Sequence, residues 1–207
     1  GQLEAAPRAP DTRSVWDARL CRSGEGGKNF QLLPARHGEH HGLWIDPKDP
    51  NRRGNANDGG ASVSIDGGET WSTLNNQPTA QFYHVAVDNA FPYHIYGAQQ
   101  DNSNLAIASR GESGVIGRED WYHAGDGETG YVIPDPRDWH VIYSNNEGYI
   151  TRYDKSKELY QDRSVWPLDN SGHGASDLKH RFQWVSPLLL SPHDPSTIYT
   201  GGEAVFK

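Results

Sequence analysis

The stretch Ser64-Ile65-Asp66-Gly67-Gly68-Glu69-Thr70-Trp71 limits the possible folds more than any other part of this sequence. It fits the pattern SxDxGxTW, in which each specified residue has a role in a tight turn between two strands. The paired glycines allow positive φ, the aspartate can accept hydrogen bonds from turn amides, and the tryptophan can close over the turn. The stretch therefore predicts a β-hairpin, and it predicts no chemistry.

A weaker copy of this stretch occurs earlier in the chain. Ser23-Gly24-Glu25-Gly26-Gly27-Lys28-Asn29-Phe30 keeps the serine, the glycine pair and the aromatic residue, with Glu in place of Asp and Asn in place of Thr. The first serines of the two copies are 41 residues apart. This period is typical of a four-stranded propeller blade.

A second repeat supports the first. Four segments share an apolar strand, a turn rich in Asp and Pro and, usually, a second strand that ends in Tyr; they begin at Leu43, Val85, Tyr131 and Leu188. Because proline cannot donate to a strand ladder, these clusters mark turns between strands. The first copy is irregular, since Arg52-Arg53-Gly54 stands where an apolar second strand is expected.

Together the repeats predict an all-β fold, a β-propeller of four-stranded antiparallel blades, with about four blades' worth of chain. We expect one propeller segment over residues 1–207 that is a fragment of a longer propeller, with open strand edges that favour self-association. Its predicted parts are a half-blade at 13–34, blades at 37–80, 81–124 and 125–176, and a half-blade at 181–207.

Composition limits the partners. The sequence has 23 Gly, 13 Pro and a net charge of −8. The negative charge argues against nucleic acid, and no apolar run is long enough to span a membrane. Cys21 is the single cysteine, so an internal disulfide is impossible. No signal peptide is visible in the sequence.

The order of several motifs carries a family resemblance. GEHHGLWIDPKDPN from Gly38, REDWYHAGDGETGYVIPDP from Arg118 and SPHDPSTIYTGG from Ser191 flank or follow the 64–71 stretch. In this order they resemble the BNR-repeat "glycosyl hydrolase" β-propellers, which are related to the sortilin/Vps10 propeller and whose repeated turn is the Asp-box. The resemblance covers about residues 20–207.

The resemblance implies a secreted or periplasmic propeller, glycoside hydrolase-like, that acts on or binds polysaccharide. The structural Asp-box residues are then Ser64, Asp66, Gly68, Thr70 and Trp71. A non-catalytic, sortilin-like propeller that binds a protein or peptide partner is the alternative. No cofactor is required by either interpretation.

Blade geometry groups the candidate site residues. In an antiparallel blade, the turn between the second and third strands lies at the same edge as the connection into the first strand. Glycoside hydrolysis needs one protonated carboxyl and one carboxylate, with aromatic residues to stack the sugar. The candidate catalytic residues are Asp58, Asp101, Glu147 and Glu128. The candidate substrate-binding residues are His41, Tyr83, His84, Asn102, Trp121 and Trp184. The competing interpretation is that Asp and Asn beside Gly only build turns.

A divalent metal site is the further alternative, at His37, His40 and His41. Imidazoles near carboxylates suit zinc or another transition metal. His40 and His41 are adjacent, however, and point to opposite sides if a strand has already begun. Hydrogen bonding to the loop is therefore the competing interpretation for these histidines.

Overall fold

Short antiparallel strands make up almost all regular structure in the computed structural model, which describes residues 1–77, 79–167 and 172–207. The described strands form five sheets, and within each sheet consecutive strands are neighbours. This is the sheet pattern of a partial β-propeller. The chain divides into two compact units, Gly1–Thr79 and Ala80–Lys207, each with its own hydrophobic core.

The first unit contains two sheets around a core that includes Trp16, Leu20, Leu33 and Trp71. The four-stranded sheet consists of β1 (Gln2–Ala6), β2 (Ala9–Trp16), β3 (Leu20–Ser23) and β4 (Gln31–Leu32). The three-stranded sheet consists of β5 (His40–Ile45), β6 (Arg53–Asn57) and β7 (Gly60–Ser64).

Strand positions in the first unit differ from the sequence prediction in two places. Residues 2–16 form a hairpin, with Gln2 opposite Trp16, so the half-blade predicted at 13–34 belongs to a complete four-stranded sheet. The polar segment Arg53–Asn57 is the second strand of its sheet, in the place where the sequence seemed irregular. Buried Asn55 takes part in hydrogen bonding there, which allows a strand without large apolar residues.

The second unit contains three sheets around a core that includes Tyr96, Val132, Ile142 and Tyr153. The first sheet consists of β8 (Phe82–Val87), β9 (His94–Gln99), β10 (Asn104–Ala108) and β11 (Trp121–His123), the last preceded by a 3₁₀ turn, Arg118–Asp120. The second consists of β12 (Val132–Asp135), β13 (Asp138–Asn146), β14 (Tyr149–Asp154) and β15 (Leu159–Asp162). The third consists of β16 (Leu188–Leu190), β17 (Ile198–Gly201) and β18 (Val205–Phe206).

The first strands of neighbouring sheets contact one another in the second unit. β12 packs against both β8 and β16. Inner strands of adjacent propeller blades are arranged in this way. Each sheet has one edge that carries both the turn between its second and third strands and the connection into its first strand. We call this the upper edge.

The 64–71 turn has the hydrogen bonds that its sequence predicts. Ser64 Oγ accepts from the Gly68 amide at 2.8 Å, and Asp66 Oδ1 accepts from the Thr70 amide at 2.9 Å. Hydrogen bonds from Thr70 and Ser64 lower the pKa of Asp66 to about 2. Trp71 is buried and donates from Nε1 to the Gly68 carbonyl at 3.0 Å. The prediction that Asp66 binds turn amides and that Trp71 is largely buried is confirmed.

The weaker copy at 23–30 keeps part of this bonding with different residues. Ser23 Oγ accepts from the Gly27 amide at 3.0 Å, as Ser64 does from Gly68. Glu25 Oε2 accepts from Asn29 Nδ2 at 2.8 Å, in the place where Asp66 accepts from Thr70. The two substitutions therefore compensate each other, because the longer acid meets an amide in place of a hydroxyl.

Candidate functional site

The three histidines of the predicted metal site have separate partners in the first unit. His40 is buried, and its Nδ1 lies 2.9 Å from Asn55 Oδ1. His41 is exposed, and its Nε2 lies 2.6 Å from Asp58 Oδ1. His37 has a positive φ of 66° and contacts the Gly38 carbonyl. These contacts agree with structural hydrogen bonding, and a metal at this position stays a prediction.

Asp58 forms the turn between β6 and β7 with Gly59. Its side chain is mostly buried, with 17% of its area exposed, and it pairs with His41. The neighbouring Asn57 Oδ1 accepts from the Gly59 amide at 3.0 Å, which shapes the turn. Asp58 and His41 lie in the first unit, so their sharing a depression with the acids of the second unit stays a prediction.

Several predicted residues meet at the upper edge of the second unit. Trp184 Nε1 donates to the Tyr83 hydroxyl at 3.2 Å, and that hydroxyl donates to Gln100 Oε1. Gln100 Nε2 in turn donates to Asp101 Oδ1 at 2.7 Å. Asn102 follows in the same turn and donates to the Gln100 carbonyl at 3.0 Å. The structure thus brings Tyr83, Asp101, Asn102 and Trp184 into one hydrogen-bonded network, although residues 83 and 184 are far apart in the chain.

A pair of asparagines fixes the neighbouring part of this edge. Asn145 Oδ1 accepts from the Tyr131 amide at 2.8 Å, and its Nδ2 donates to Ser186 Oγ at 2.9 Å. Thr129 Oγ1 lies 2.9 Å from Asn146 Oδ1 and 3.0 Å from the Trp184 carbonyl oxygen. Asn145 and Thr129 therefore connect the β12–β15 sheet to the segment before β16 by polar contacts.

The remaining predicted acids and the predicted histidine of the second unit flank these contacts. Glu128 precedes Thr129 and Glu147 follows Asn146, and both glutamates are half-buried. Glu147 has a positive φ of 50°, in the turn between β13 and β14. His84 stacks on Tyr131 with ring centroids 4.0 Å apart.

Trp121 belongs to a different surface. It pairs with Ile107 on β10, away from the turn that carries Asp101. With His84, Phe82 and Leu105 it lines an apolar groove of about 390 Å³ on the face of the β8–β11 sheet. Its expected role beside the acids therefore has no geometric support among the described contacts.

A second groove, which the sequence did not predict, lies on the β12–β15 sheet. Its volume is about 320 Å³. We call it the tyrosine groove; its lining residues are Asp126, Gly127, Asn146, Tyr149, Thr151, Tyr160, Gln161 and Asp162. Tyr149 and Thr151 alternate on β14, and Thr151 pairs with Asp162 on β15. Side chains two residues apart on a strand share one face, so this hairpin supplies one wall of the groove.

Buried polar residues hold Asp126 at the groove. Ser144 and Asn104 are fully buried. Ser144 Oγ accepts from the Asp126 amide at 3.1 Å and donates to its carbonyl at 2.8 Å, and Asn104 Nδ2 donates to the same carbonyl at 2.6 Å. Asp126 Oδ1 accepts from the Gly127 amide at 2.8 Å. Position and side-chain rotamer of Asp126 are thus both fixed from within the fold.

The opposite wall has its own supports. Hydrogen bonds from the side chain and the backbone of Ser164 lower the pKa of Asp162. Burial, together with the charges of Tyr153, Asp126 and Glu158, raises the pKa of Tyr160. The rings of Tyr160 and Tyr153 stack with centroids 4.5 Å apart. Tyr160 is therefore neutral at physiological pH and is held by a buried neighbour.

The side chain of Gln161 is held by two arginines. Its Oε1 accepts from Arg163 Nη2 at 3.0 Å and from Arg152 Nη1 at 3.2 Å. Gln161 lies between Tyr160 and Asp162 on β15 and pairs with Arg152, so its side chain is on the other face of the hairpin from the two tyrosines.

The carboxyl groups give one clear electrostatic result. Eight carboxyls have a pKa that is displaced downwards, namely Asp66, Asp88, Asp135, Asp138, Asp154, Asp162, Asp194 and Glu203. The general acid of a glycosidase needs a displacement upwards. None of these eight groups therefore has the electrostatics of such an acid.

Comparisons with known proteins add a likeness of fold. No family model matches the sequence, and no curated protein matches it. Among solved structures, the chain is similar to the GH74 xyloglucanase from Xanthomonas campestris, with 16% identity and a TM-score of 0.41 over 99% of this chain and 36% of that chain. The GH74 enzyme from Niastella koreensis gives 13% identity and a TM-score of 0.40 over 100% of this chain and 36% of that chain.

A third solved structure, YCF48 bound to D1 peptide, gives 11% identity and a TM-score of 0.37 over 93% of this chain and 58% of that chain. The chain thus spans little more than a third of the two GH74 enzymes. At these identities and TM-scores the likeness carries no argument about activity or ligand.

Among the described residues, no helix has the length and apolar character needed to cross a membrane.

Proposed function

We propose that the chain binds polysaccharide and that the tyrosine groove is its binding site. One observation carries the proposal: Tyr149 and Tyr160 both line the groove, and 36% and 50% of their areas are exposed. Phenol rings in a half-buried groove cover the apolar faces of a ligand while their hydroxyls bind its polar groups. A sugar ring has both kinds of surface.

The polar lining matches the hydroxyl groups of a sugar. Asp126 and Asp162 supply acceptors, and the hydroxyls of Tyr149, Thr151 and Tyr160 can supply donors. Because Ser144, Asn104 and Ser164 fix the two aspartates, little ordering is needed when a ligand binds. Such pre-organisation favours affinity in an otherwise shallow site.

At the tyrosine groove, the lowered pKa of Asp162 favours binding over hydrolysis. Hydrolysis needs a carboxyl that remains protonated beside the scissile bond. Asp162 has a lowered pKa and is ionised at neutral pH. The candidate catalytic roles of Asp58, Asp101, Glu147 and Glu128 stay predictions of the sequence.

The expected affinity is modest. A disaccharide-sized ligand has about 23 heavy atoms, and at about −0.3 kcal/mol for each atom its Kd is about 10 µM at best. Longer oligosaccharides gain only from the units that contact the groove.

The test is a glycan array followed by calorimetric titration of the oligosaccharides that bind. Tyr149→Ala should weaken binding about tenfold, the usual effect of removing a central aromatic contact. Tyr93→Ala is the matched control, because Tyr93 is an exposed tyrosine of the same unit outside the groove and should leave binding unchanged.

Two results would contradict the proposal. One is a chain that binds no glycan, especially if it binds peptides on a parallel array, as the sortilin-like alternative expects. The other is a bound glycan whose affinity survives both Tyr149→Ala and Tyr160→Ala. Circular dichroism of each variant must first show the wild-type β-sheet spectrum.

A further inference from the structure

We infer that the tyrosine groove selects glycans that carry protonated amines, such as oligomers of glucosamine. The inference rests on the proposed function and names the ligand class of the same site. It starts from the charges that line the groove. Asp126 and Asp162 are both exposed carboxylates, and the other lining side chains carry no formal charge.

Each of these aspartates has one oxygen occupied by the fold. Asp126 Oδ1 accepts from the Gly127 amide at 2.8 Å, and Asp162 Oδ1 accepts from the Ser164 amide at 2.7 Å. These bonds fix both carboxylates while Oδ2 keeps its acceptor capacity. A carboxylate oxygen beside a stacked sugar ring is a suitable partner for an ammonium group, which offers three donors and a full charge.

Two arginines lie close to this wall of the groove without lining it. Arg152 and Arg163 both donate to Gln161 Oε1, and Arg163 Nη1 also donates to the Asp162 carbonyl at 2.8 Å. Neither arginine is among the lining residues. The lining side chains therefore contribute two negative charges, which the charge of Arg163 partly offsets at Asp162. The chain as a whole also has a net charge of −8. Such a surface attracts cationic glycans and repels uronates.

The carboxylate of Asp162 and the amines of the sugar are charged over the same pH range. The lowered pKa of Asp162 keeps its carboxylate charged in mildly acidic solution, where sugar amines are protonated. Binding experiments are therefore best made at mildly acidic pH and low salt.

The experiment compares three oligosaccharides of equal length by calorimetric titration: an N-acetylglucosamine oligomer, its deacetylated counterpart and a galacturonate oligomer. The deacetylated oligomer should bind about threefold to tenfold more tightly than the acetylated one, the effect expected of two exposed ion pairs. The difference should shrink as salt is added, and the galacturonate oligomer should bind least.

Two variants test whether the preference for the deacetylated oligomer arises at the groove. The double variant Asp126→Asn/Asp162→Asn keeps the size of both side chains and should bind the acetylated and deacetylated oligomers equally. Asp177→Asn is the matched control, because Asp177 is an exposed aspartate of the same unit outside the groove, and it should keep the preference.

The outcomes separate this inference from the proposed function. Equal affinity of the wild type for the two glucosamine oligomers, with both lost in Tyr149→Ala, overturns the charge selection and leaves glycan binding in place. A preference that persists in the double Asn variant also overturns it. Absence of binding to all glycans removes the proposed function and the inference together.

Discussion

Gly68 is the position in the 64–71 turn where a side chain should be least tolerated. Its φ is +95°, and a Cβ there lies 2.8 Å from Leu33 Cδ1 and 3.4 Å from Trp71 Cζ2. Gly67 is a matched comparison, with φ of +75° and a Cβ 3.2 Å from Arg22 Nη1, the end of a flexible side chain. The two glycines thus share positive φ and differ in what a methyl group meets.

The magnitudes follow from these contacts. Positive φ costs an alanine about 1–2 kcal/mol at either position. Leu33 is 4% exposed and packed in the core, so Gly68→Ala adds overpacking of about 1–3 kcal/mol. We expect Gly68→Ala to lower the free energy of unfolding by about 2–5 kcal/mol and Gly67→Ala by about 1–2 kcal/mol.

Urea denaturation, followed by circular dichroism and tryptophan fluorescence, measures both losses. Hydrogen exchange of a peptide over residues 60–72 localises them, with peptides of the second unit as an internal reference. In a Leu33→Ala background the extra cost of Gly68→Ala should disappear, because the clash is removed. Equal losses for the two glycine variants, or an extra cost that survives Leu33→Ala, would refute the reasoning.

Three further predictions concern the second unit. Tyr96 is fully buried and donates to Asp88 Oδ2 at 2.9 Å, so Tyr96→Phe should lower the free energy of unfolding by about 1.5–3 kcal/mol in urea denaturation. A loss near zero contradicts this. Burial alone would raise the pKa of Asp88, but hydrogen bonds from His94 and Tyr96 outweigh it and lower the pKa. The carboxylate of Asp88 therefore stabilises the fold at pH values above its pKa in the unfolded chain, about 4. This stabilisation is lost as pH falls through the lower pKa of the folded state. In Asp88→Asn, the free energy of unfolding should therefore depend less on pH below about 4. An unchanged acid slope argues against it. Ser144→Ala should lower the free energy of unfolding by about 1–2 kcal/mol and weaken glycan binding, because Ser144 holds both backbone groups of Asp126. Unchanged affinity in titration shows that Ser144 does not position Asp126.

The sequence predicted the 64–71 turn because the side chains of Ser64, Asp66 and Trp71 bind within the turn itself, to residues no more than four positions away. Its glycines adopt the positive φ that the pattern implies. The bonds from Arg22 to Gly67 and Glu69 span about 45 residues and were not predictable from the local pattern. The copy at 23–30 was recognisable for the same reason, although its Glu25–Asn29 contact became clear only in the structure.

The hairpin of β1 and β2 was missed because it lacks the usual strand signal. Only Ala6 is buried in β1, and Leu3 is 58% exposed. Without an alternation of buried apolar and exposed polar residues, the segment reads as a polar extension.

The order of the strands predicts that acids such as Asp101 lie in turns at a sheet edge. It does not predict which residues these acids bind. Asp101 contacts the neighbouring Gln100, whose Oε1 accepts from the hydroxyl of Tyr83. Trp184 reaches the same hydroxyl from the segment before β16. Strand order decides which edge a residue occupies, whereas such contacts depend on the packing of one sheet against the next.

The residues of the tyrosine groove lie mainly on strands, so the acids in turns did not predict it. Tyr149 with Thr151, and Tyr160 with Asp162, are ordinary alternations of a half-exposed hairpin, and each alone indicates only a strand. Function becomes plausible when the 126–127 turn, held by buried Ser144, closes over that face. The usable signal was two exposed tyrosines on one face of one hairpin. Exposed aromatic residues that share a strand face therefore indicate a candidate binding site as well as acids in turns do, because a rigid sheet positions binding residues at least as firmly as a loop does.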